Sequence, residues 1–305
     1  MADIKNPILV TGTHRSGTTW IGKMLAADPR TAYISEPLNV LHRPGVFRPR
    51  IQYWYQYICE DNEQAYLSSF QELLNYDYHV WDEIRSLRSW HDFLRMGRDF
   101  TIFYHGLLRG QRILLKDPFA VFSTEWFAKR LNCKVVIAVR HPAAFVSSLK
   151  RLNWPFNVKD LLDQPLLMRD HLEPYRGQME KALKGDVIDQ WALLWNLIYA
   201  TVHATLQRNP DFIAVRHEDL SLDPVNRYRD LYRALGLEFS PHIEKVIRES
   251  SSSDNPAEGR RVHSFKLDSR ANMDNWKKRL SEDEIRRVRD ITQEISALYY
   301  PDREW

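Results

Sequence analysis

Short, almost unbroken apolar runs alternate along the chain with longer stretches in which apolar residues return every three or four positions, the signature of strands alternating with helices. Pro7 to Val10 reads as a first strand, leading through a polar loop into a helix that ends by Asp28-Pro29, and Ala32 to Ile34 reads as a second strand. Arg112 to Leu115 and Val135 to Val139 continue the series, and Phe212-Ile-Ala-Val-Arg216 closes it. Strands that are apolar at consecutive positions are buried on both faces, which places them in a parallel sheet covered by helices on each side. Helices are predicted at Thr124 to Leu131, after Pro142, from Pro224 to Leu235-Gly236, and after the capping box Ser281-Glu-Asp-Glu284. Two segments break the rhythm. Residues 42 to 110 are irregular and aromatic, with Tyr53-Trp54-Tyr55-Gln-Tyr57 and Tyr76-Asp-Tyr78-His79-Val-Trp81 followed by amphipathic helices, and residues 153 to 185 are interrupted by proline. Both read as cap segments of one domain spanning 1–305.

Composition narrows the picture. A 305-residue chain with 44% hydrophobic residues can bury one continuous α/β core. Its 43 basic and 40 acidic residues leave a net charge of only +3, so no overall field draws it to nucleic acid and anion binding has to be local. The run Arg286-Arg287-Val-Arg289 is expected on the exposed face of the last helix, where an acidic polymer could use it. Cys59 and Cys133 have no metal-like spacing, which fits a reducing compartment without a disulfide framework or a metal site. The N-terminus lacks a basic-then-apolar signal, and the longest apolar stretch, Trp191 to Leu206, is shorter than a bilayer span and carries Asn196 and His203. The expectation is a cytoplasmic protein with no integral membrane segment.

The chemistry is concentrated at Ile8-Leu-Val-Thr-Gly-Thr-His-Arg-Ser-Gly-Thr-Thr-Trp20. An apolar strand feeds a loop with Gly12 and Gly17, and a helix begins at Gly17 with its N–H groups free to hold a phosphate. A nucleoside triphosphatase would carry a lysine where Thr18 stands. Here the cation sits inside the loop, at Arg15, whose planar fork can bind a phosphate oxygen or the bridging oxygen of an anhydride. A second strand-to-helix junction follows at Lys134-Val-Val-Ile-Ala-Val-Arg140-His-Pro142, with Ser148 on the second helical turn. The fold class is therefore α/β and P-loop-like, three layers about a central parallel sheet.

Together these segments resemble the sulfotransferases that use 3′-phosphoadenosine 5′-phosphosulfate (PAPS), most closely the carbohydrate-type and bacterial members. The run Thr13 to Trp20 is similar to the family's 5′-phosphosulfate loop, which implies that Arg15, Ser16, Gly17, Thr18, Thr19 and Trp20 contact the donor. Arg140 and Ser148 match the 3′-phosphate signature, a group that ATP lacks. Arg216-His217-Glu-Asp-Leu220 is similar to a family strand ending in aromatic-Glu-Asp-Leu, with His217 in place of tyrosine; its ring either stacks near adenine or is a loop histidine satisfied within the fold. Ser269-Arg270 through Trp276-Lys277-Lys278-Arg279 resembles the closing loop that brings a cation and an aromatic to the nucleotide, so Arg270, Trp276 and Lys277 are the candidates there. The alternative for this segment is a solvated basic stretch before a helix.

Sulfuryl transfer through a loose transition state collects charge on the bridging oxygen of the leaving phosphate, so donors have to sit on it. The sulfuryl group carries less charge than a terminal phosphoryl, so fixed cations and backbone N–H groups can serve and no metal is expected. Arg15, Thr18, Thr19 and Lys116 are the candidates; Lys116 precedes Asp117-Pro118 at a strand's C-terminal end, where open α/β sheets bind ligands, but could equally be a surface lysine. An acceptor hydroxyl also needs a base. Glu36, in Ser35-Glu36-Pro37-Leu38-Asn39, is the first candidate, with Pro37 expected to hold it extended off the sheet end, and carbohydrate sulfotransferases show a similar Glu-Pro-Leu. Asp117 is the reserve base, and His79 and His105 are remoter. The small-molecule members use a histidine two residues after a lysine like Lys116, a position held here by Pro118. The aromatic segment 53 to 81 with Trp154-Pro-Phe156 could stack on sugar faces or could be core. A glycan or glycolipid hydroxyl is the favoured acceptor, with lipid, peptide tyrosine and phenol open. A small-molecule or nucleotide kinase and a non-catalytic nucleotide-binding module are the rival readings.

Overall fold

The computed structural model describes residues 6–41, 43–154, 156–251 and 273–305. Five parallel strands form one sheet, β1 (Ile8–Gly12), β2 (Thr31–Ser35), β3 (Arg112–Lys116), β4 (Lys134–Val139) and β5 (Ile213–Arg216), in the order β2-β3-β1-β4-β5. The central β1 pairs with β3 at Ile8↔Leu114 and with β4 at Ile8↔Lys134, which brings the ends of all three strands to one edge. That edge is where the strand order reverses and where open α/β sheets bind ligands.

Period-two alternation divides the core. Ile8 and Val10 of β1, Leu114 of β3, and Val136 and Ala138 of β4 pack on one face with helices Thr18–Leu25, Pro224–Leu235 and Pro241–Ser251. Leu9, Ile113, Leu115, Val135, Ile137 and Val139 point to the other, under helices Pro142–Leu152, Val187–Arg208 and Glu282–Ser296. β1, β3 and β4 are thus buried on both sides, the reason their apolar runs are continuous rather than alternating, whereas β5 at the sheet edge is only partly covered, with Ala214 exposed.

The predicted elements recur with small shifts. Helices Thr124–Leu131 and Pro224–Leu235 and the capping box at Ser281 lie where expected. β1 runs two residues past Val10, to Gly12, because those residues still pair with β4. From residue 156 to 185 the chain makes a series of short helical turns, Lys159–Leu162, Pro165–Leu167 and Arg176–Ala182 among them, with Pro165 opening one as a first-turn residue. The basic run of the last helix is matched by carboxylates: Arg287 pairs with Asp186 and Asp189 at 2.9 and 2.7 Å, Arg289 with Asp302 at 2.6 Å, and Arg286 with Asp283. A polymer-binding stripe would need those cations facing an anion instead. Among the described residues no helix is long and apolar enough to cross a membrane.

Candidate active site

The loop after β1 is shaped by two glycines. Gly12 has φ +142°, and a Cβ there would lie 2.4 Å from the carbonyl oxygen of Ala138; Gly17 has φ +94°, and its Cβ would meet the His217 ring at 2.5 Å. Only glycine allows β1 to end so close to β4 and the loop to turn under His217. Gly17 is therefore the left-handed cap, and the helix proper begins at Thr18, one residue later than its sequence suggested. Within the turn Ser16 Oγ donates to the Thr13 carbonyl at 2.5 Å, and the Ser16 N–H bonds the same oxygen at 3.1 Å. The N–H groups of Thr18, Thr19 and Trp20 lie at the open end of the helix.

Arg15 itself is left-handed (φ +67°) and its Nε donates to Ser148 Oγ at 3.1 Å, across 133 positions of sequence. Arg140 Nη1 donates to the carbonyl of Arg15 at 2.6 Å. The two junctions are thus joined through Arg15 into one ring-like cluster of Arg15, Ser148 and Arg140. Sequence reasoning had assigned Ser148 to Arg140 alone; the ends of β1 and β4 are neighbours, so the serine also reaches the loop. Burial and the charges of Arg140 and Arg151 bring Arg15 down to about 10, which leaves it fully protonated at neutral pH. Arg140 Nε is buried with no hydrogen-bond partner among the described residues. A buried guanidinium donor without an acceptor costs about 1–3 kcal/mol.

Residues 7–241 match the sulfotransferase family. The chain belongs to that family. Carbohydrate sulfotransferase 1 of Mus musculus is 28% identical over 193 residues, covering 61% of this chain and 40% of the relative. The Danio rerio protein of the same name is 25% identical over 188 residues, covering 60% and 39%. The chain therefore spans about two fifths of the length of these curated relatives. Sulfotransferase STF9 from Mycobacterium avium superposes with a TM-score of 0.47 at 15% identity, covering 98% of this chain and 78% of that one.

Beside the anion ring stands the pair Glu36–Lys116. Lys116, the last residue of β3, is 2% exposed, and its Nζ bonds Glu36 Oε1 while Asn39 Nδ2 donates to Oε2 at 2.7 Å. Burial pushes the Glu36 carboxyl up, but the charge and hydrogen bond of Lys116 and the bond from Asn39 outweigh it and hold the group below its ordinary range. The backbone at Glu36 is not extended as Pro37 suggested; φ is +53°. A following proline disfavours the right-handed region, and the sharp turn here, closed by Glu36 N–H to Lys116 O at 2.7 Å and Asn39 N–H to Glu36 O at 3.3 Å, takes the left-handed one instead. Asp117 is spent on structure: Oδ2 accepts from Leu38 N–H at 2.6 Å and Oδ1 from Phe119 N–H at 2.9 Å. Its carboxyl is 1% exposed, and burial pushes it up to about 7.

The remaining sequence candidates divide. His217 lies edge-on to Trp20, 5.6 Å between centroids, with Nδ1 buried and without a hydrogen-bond partner among the described residues; burial and Arg140 lower it to about 3. Trp20 Nε1 bonds Ser250 Oγ at 3.3 Å. Trp276 is 4% exposed and stacks on His141, next to Arg140, at 5.0 Å and 12°, so its ring supports the second junction from beneath. Lys277 pairs with Asp274 at 3.3 Å. Arg270 lies outside the described residues. His79 sits against Glu72 at 3.2 Å and His105 is exposed on helix Trp90–Arg109, away from the ring.

Three supporting residues were missed. Tyr55 Oη meets His14 Nδ1 at 2.5 Å and accepts the His14 N–H at 3.3 Å; Tyr199 Oη donates to Ala138 O at 2.8 Å and lies 3.1 Å from Thr13 Oγ1. Glu218 accepts the His141 N–H at 3.0 Å and the Tyr300 hydroxyl at 2.8 Å, which fixes the turn after Arg140. The Glu-Asp-Leu motif was a signal for Glu218. No local pattern marks either tyrosine.

Proposed function

We propose that the chain transfers a sulfuryl group from PAPS to an acceptor hydroxyl, and that the acceptor is a carbohydrate. One observation carries the reading: the unpartnered Arg140 donor joined through Arg15 to Ser148, a cationic ring at two adjacent strand ends. A nucleotide with phosphates at both its 3′ and 5′ positions suits such a ring. Arg140 and Ser148 would hold the 3′-phosphate, and the loop from Arg15 to Thr19 the 5′ side. Arg15 and Lys116 would stabilise charge on the leaving oxygen, and Glu36, ionised at neutral pH, would receive the acceptor proton. PAPS supplies the activated sulfuryl group; the chain supplies orientation, fixed positive charge and a proton acceptor. The carbohydrate acceptor rests on the names of the curated relatives and on the half-buried rings of Trp54 and Trp154, which lie against each other with Trp154 beside His14.

Calorimetric titration with 3′,5′-adenosine bisphosphate, 5′-AMP and ATP, without magnesium, tests it. The bisphosphate is expected to bind at least tenfold more tightly than either rival, and Arg140→Ala to remove that preference, since charge-assisted hydrogen bonds contribute about 1.5–3 kcal/mol. Equal affinity for all three nucleotides would reject the 3′-phosphate site and with it the donor. With binding established, transfer of labelled sulfate to oligosaccharides rather than to phenols tests the acceptor.

A further inference from the structure

Helix Trp90–Arg109 buries Asp99, Phe103 and Gly106 and turns the opposite face outward. That outer face is apolar: Trp90, Phe93, Leu94, Phe100, Tyr104 and Leu107 are 69, 46, 54, 45, 50 and 60% exposed. With Leu108 and with Trp81 and Ile84 of the preceding helix, the patch amounts to on the order of 1,000 Å². The largest apolar patch of an ordinary monomer is roughly 300–600 Å², and one side of a stable interface is about 800 Å².

The stripe is symmetric about Gly97. Trp90 lies seven positions before it and Tyr104 seven after; Phe93 and Leu94 precede it by four and three, Phe100 and Thr101 follow by three and four. Gly97 is exposed, and a Cβ there would meet nothing within 4 Å. Within one chain nothing uses a glycine at this position, where alanine would favour the helix. The close approach of a second backbone does use it. A groove of about 520 Å³ lies beside the C-terminal half of the helix, aromatic on the side of Tyr76, Tyr78 and Tyr104 and lined also by Glu72, Asp77 and His79.

We propose that two copies of this chain pair through antiparallel helices Trp90–Arg109, with the two-fold axis at Gly97 and Trp90 of each copy seated in the other's aromatic groove. A two-fold axis requires each patch to be its own complement, and a protruding indole and a groove equally spaced from one glycine satisfy it. The spacing is about 10 Å on either side. A bilayer would use the same apolar face, but residues 72–109 hold five arginines against six carboxylates, with Arg85, Arg95 and Arg98 paired to Asp82, Asp92 and Asp99, so the segment has no net positive charge to attract anionic lipid. The pairing would also brace the site, because buried Asp99 of this helix holds Arg43 at 2.8 Å on the segment that follows Glu36.

Sedimentation velocity of the full chain over a hundredfold concentration range is expected to show a dimer, and Gly97→Arg to weaken association at least tenfold with an unchanged circular dichroism spectrum. A sharper version uses Gly97→Cys in a Cys59→Ser background: mild oxidation is expected to give a disulfide-linked dimer, whereas Leu108→Cys, far from the axis, stays uncrosslinked. A chain that sediments as a monomer throughout overturns the pairing. So does a dimer that persists in Gly97→Arg, or a Gly97→Cys thiol that fails to crosslink. Co-sedimentation of a monomer with phosphatidylglycerol–phosphatidylcholine vesicles, lost in Trp90→Glu, would assign the face to the membrane instead.

Discussion

The strand-end ring around Arg15 and the helical shell of residues 67–109 are built on opposite plans. In the ring's loop, Thr13, His14 and Ser16 are at most 5% exposed; Thr13 bonds Tyr199, His14 donates its N–H to Tyr55, Ser16 donates to the Thr13 carbonyl, and Arg15 between them donates to Ser148. In the shell, the side chains that carry most apolar area, Trp81, Trp90 and Leu108, lie largely in solvent. A site that must bind a fixed anion has its donors set before the ligand arrives, because any reorganisation would be subtracted from binding and from rate. A surface that meets a partner needs only complementary shape. On the proposed function, the tightly bonded region is where the chemistry would take place and the exposed face is where recognition would.

The sharpest way to break that division is at Glu36, which stands between the two regions. Glu36→Gln is expected to lower turnover about 10²–10⁴-fold under saturating acceptor while 3′,5′-adenosine bisphosphate binds as before. The substitution also leaves Lys116 buried without its counter-charge, and losing one partner of a buried pair is destabilising. Thermal unfolding separates the two effects: a turnover loss no larger than the loss of folded protein would remove Glu36 from proton transfer. Because the carboxyl is held below its ordinary range, activity limited by it should fall only on strong acidification.

A second test concerns the histidines packed about the ring. Burial lowers His14, His141 and His217 to about 3, with Arg15 adding to the effect at His14, Lys277 at His141 and Arg140 at His217. In the unfolded chain each would take a proton below about 6.5, whereas in the fold it stays neutral down to about 3. Between those values the unfolded state binds more protons, so stability falls as pH is lowered through the window, by on the order of several kcal/mol for the two least exposed, His14 and His141, together. Urea unfolding of wild type and His141→Phe from pH 7 to pH 4 measures this. Phenylalanine keeps the stack on Trp276, so the variant should lose less stability on acidification than wild type; parallel curves would mean that His141 takes up its proton in the fold.

Most of the scaffold and the three side chains of the ring were legible because both depend on local pattern. Continuous apolar runs announce buried strands, and Gly12, Gly17, Arg15, Arg140 and Ser148 sit at fixed offsets from strand ends. What escaped was long-range. The Glu36–Lys116 pair joins residues 80 positions apart, and nothing near Glu36 signals the left-handed turn that brings them together. Tyr55 and Tyr199 reach the loop from 41 and 186 positions away, in segments whose own patterns say only aromatic loop and buried helix. Trp276 was read as a nucleotide contact because the motif was matched by type; its stack on His141, next to Arg140, is a long-range contact that no local pattern announces.

Tyr199 offers the smallest of these effects and the most direct probe of how the ring is kept rigid. Its hydroxyl is fully buried, donates to the Ala138 carbonyl at the end of β4, and meets the Thr13 hydroxyl and N–H at 3.1 and 3.5 Å, so one group ties the loop to the neighbouring strand. Tyr199→Phe keeps the ring packed on Trp195 but leaves the Ala138 oxygen without that donor. The expected cost is about 1–2 kcal/mol, or roughly 2–8 °C in thermal midpoint. If preorganisation of the loop matters, bisphosphate affinity should also fall several-fold, although residue 199 contacts neither phosphate position proposed above, while Trp90 variants on the shell leave that affinity unchanged. A stability loss with unaltered affinity would show instead that the bonds from Ser16 to Thr13 hold the turn by themselves, and that the rigidity of the ring is local to the loop rather than supplied by the sheet and helix behind it.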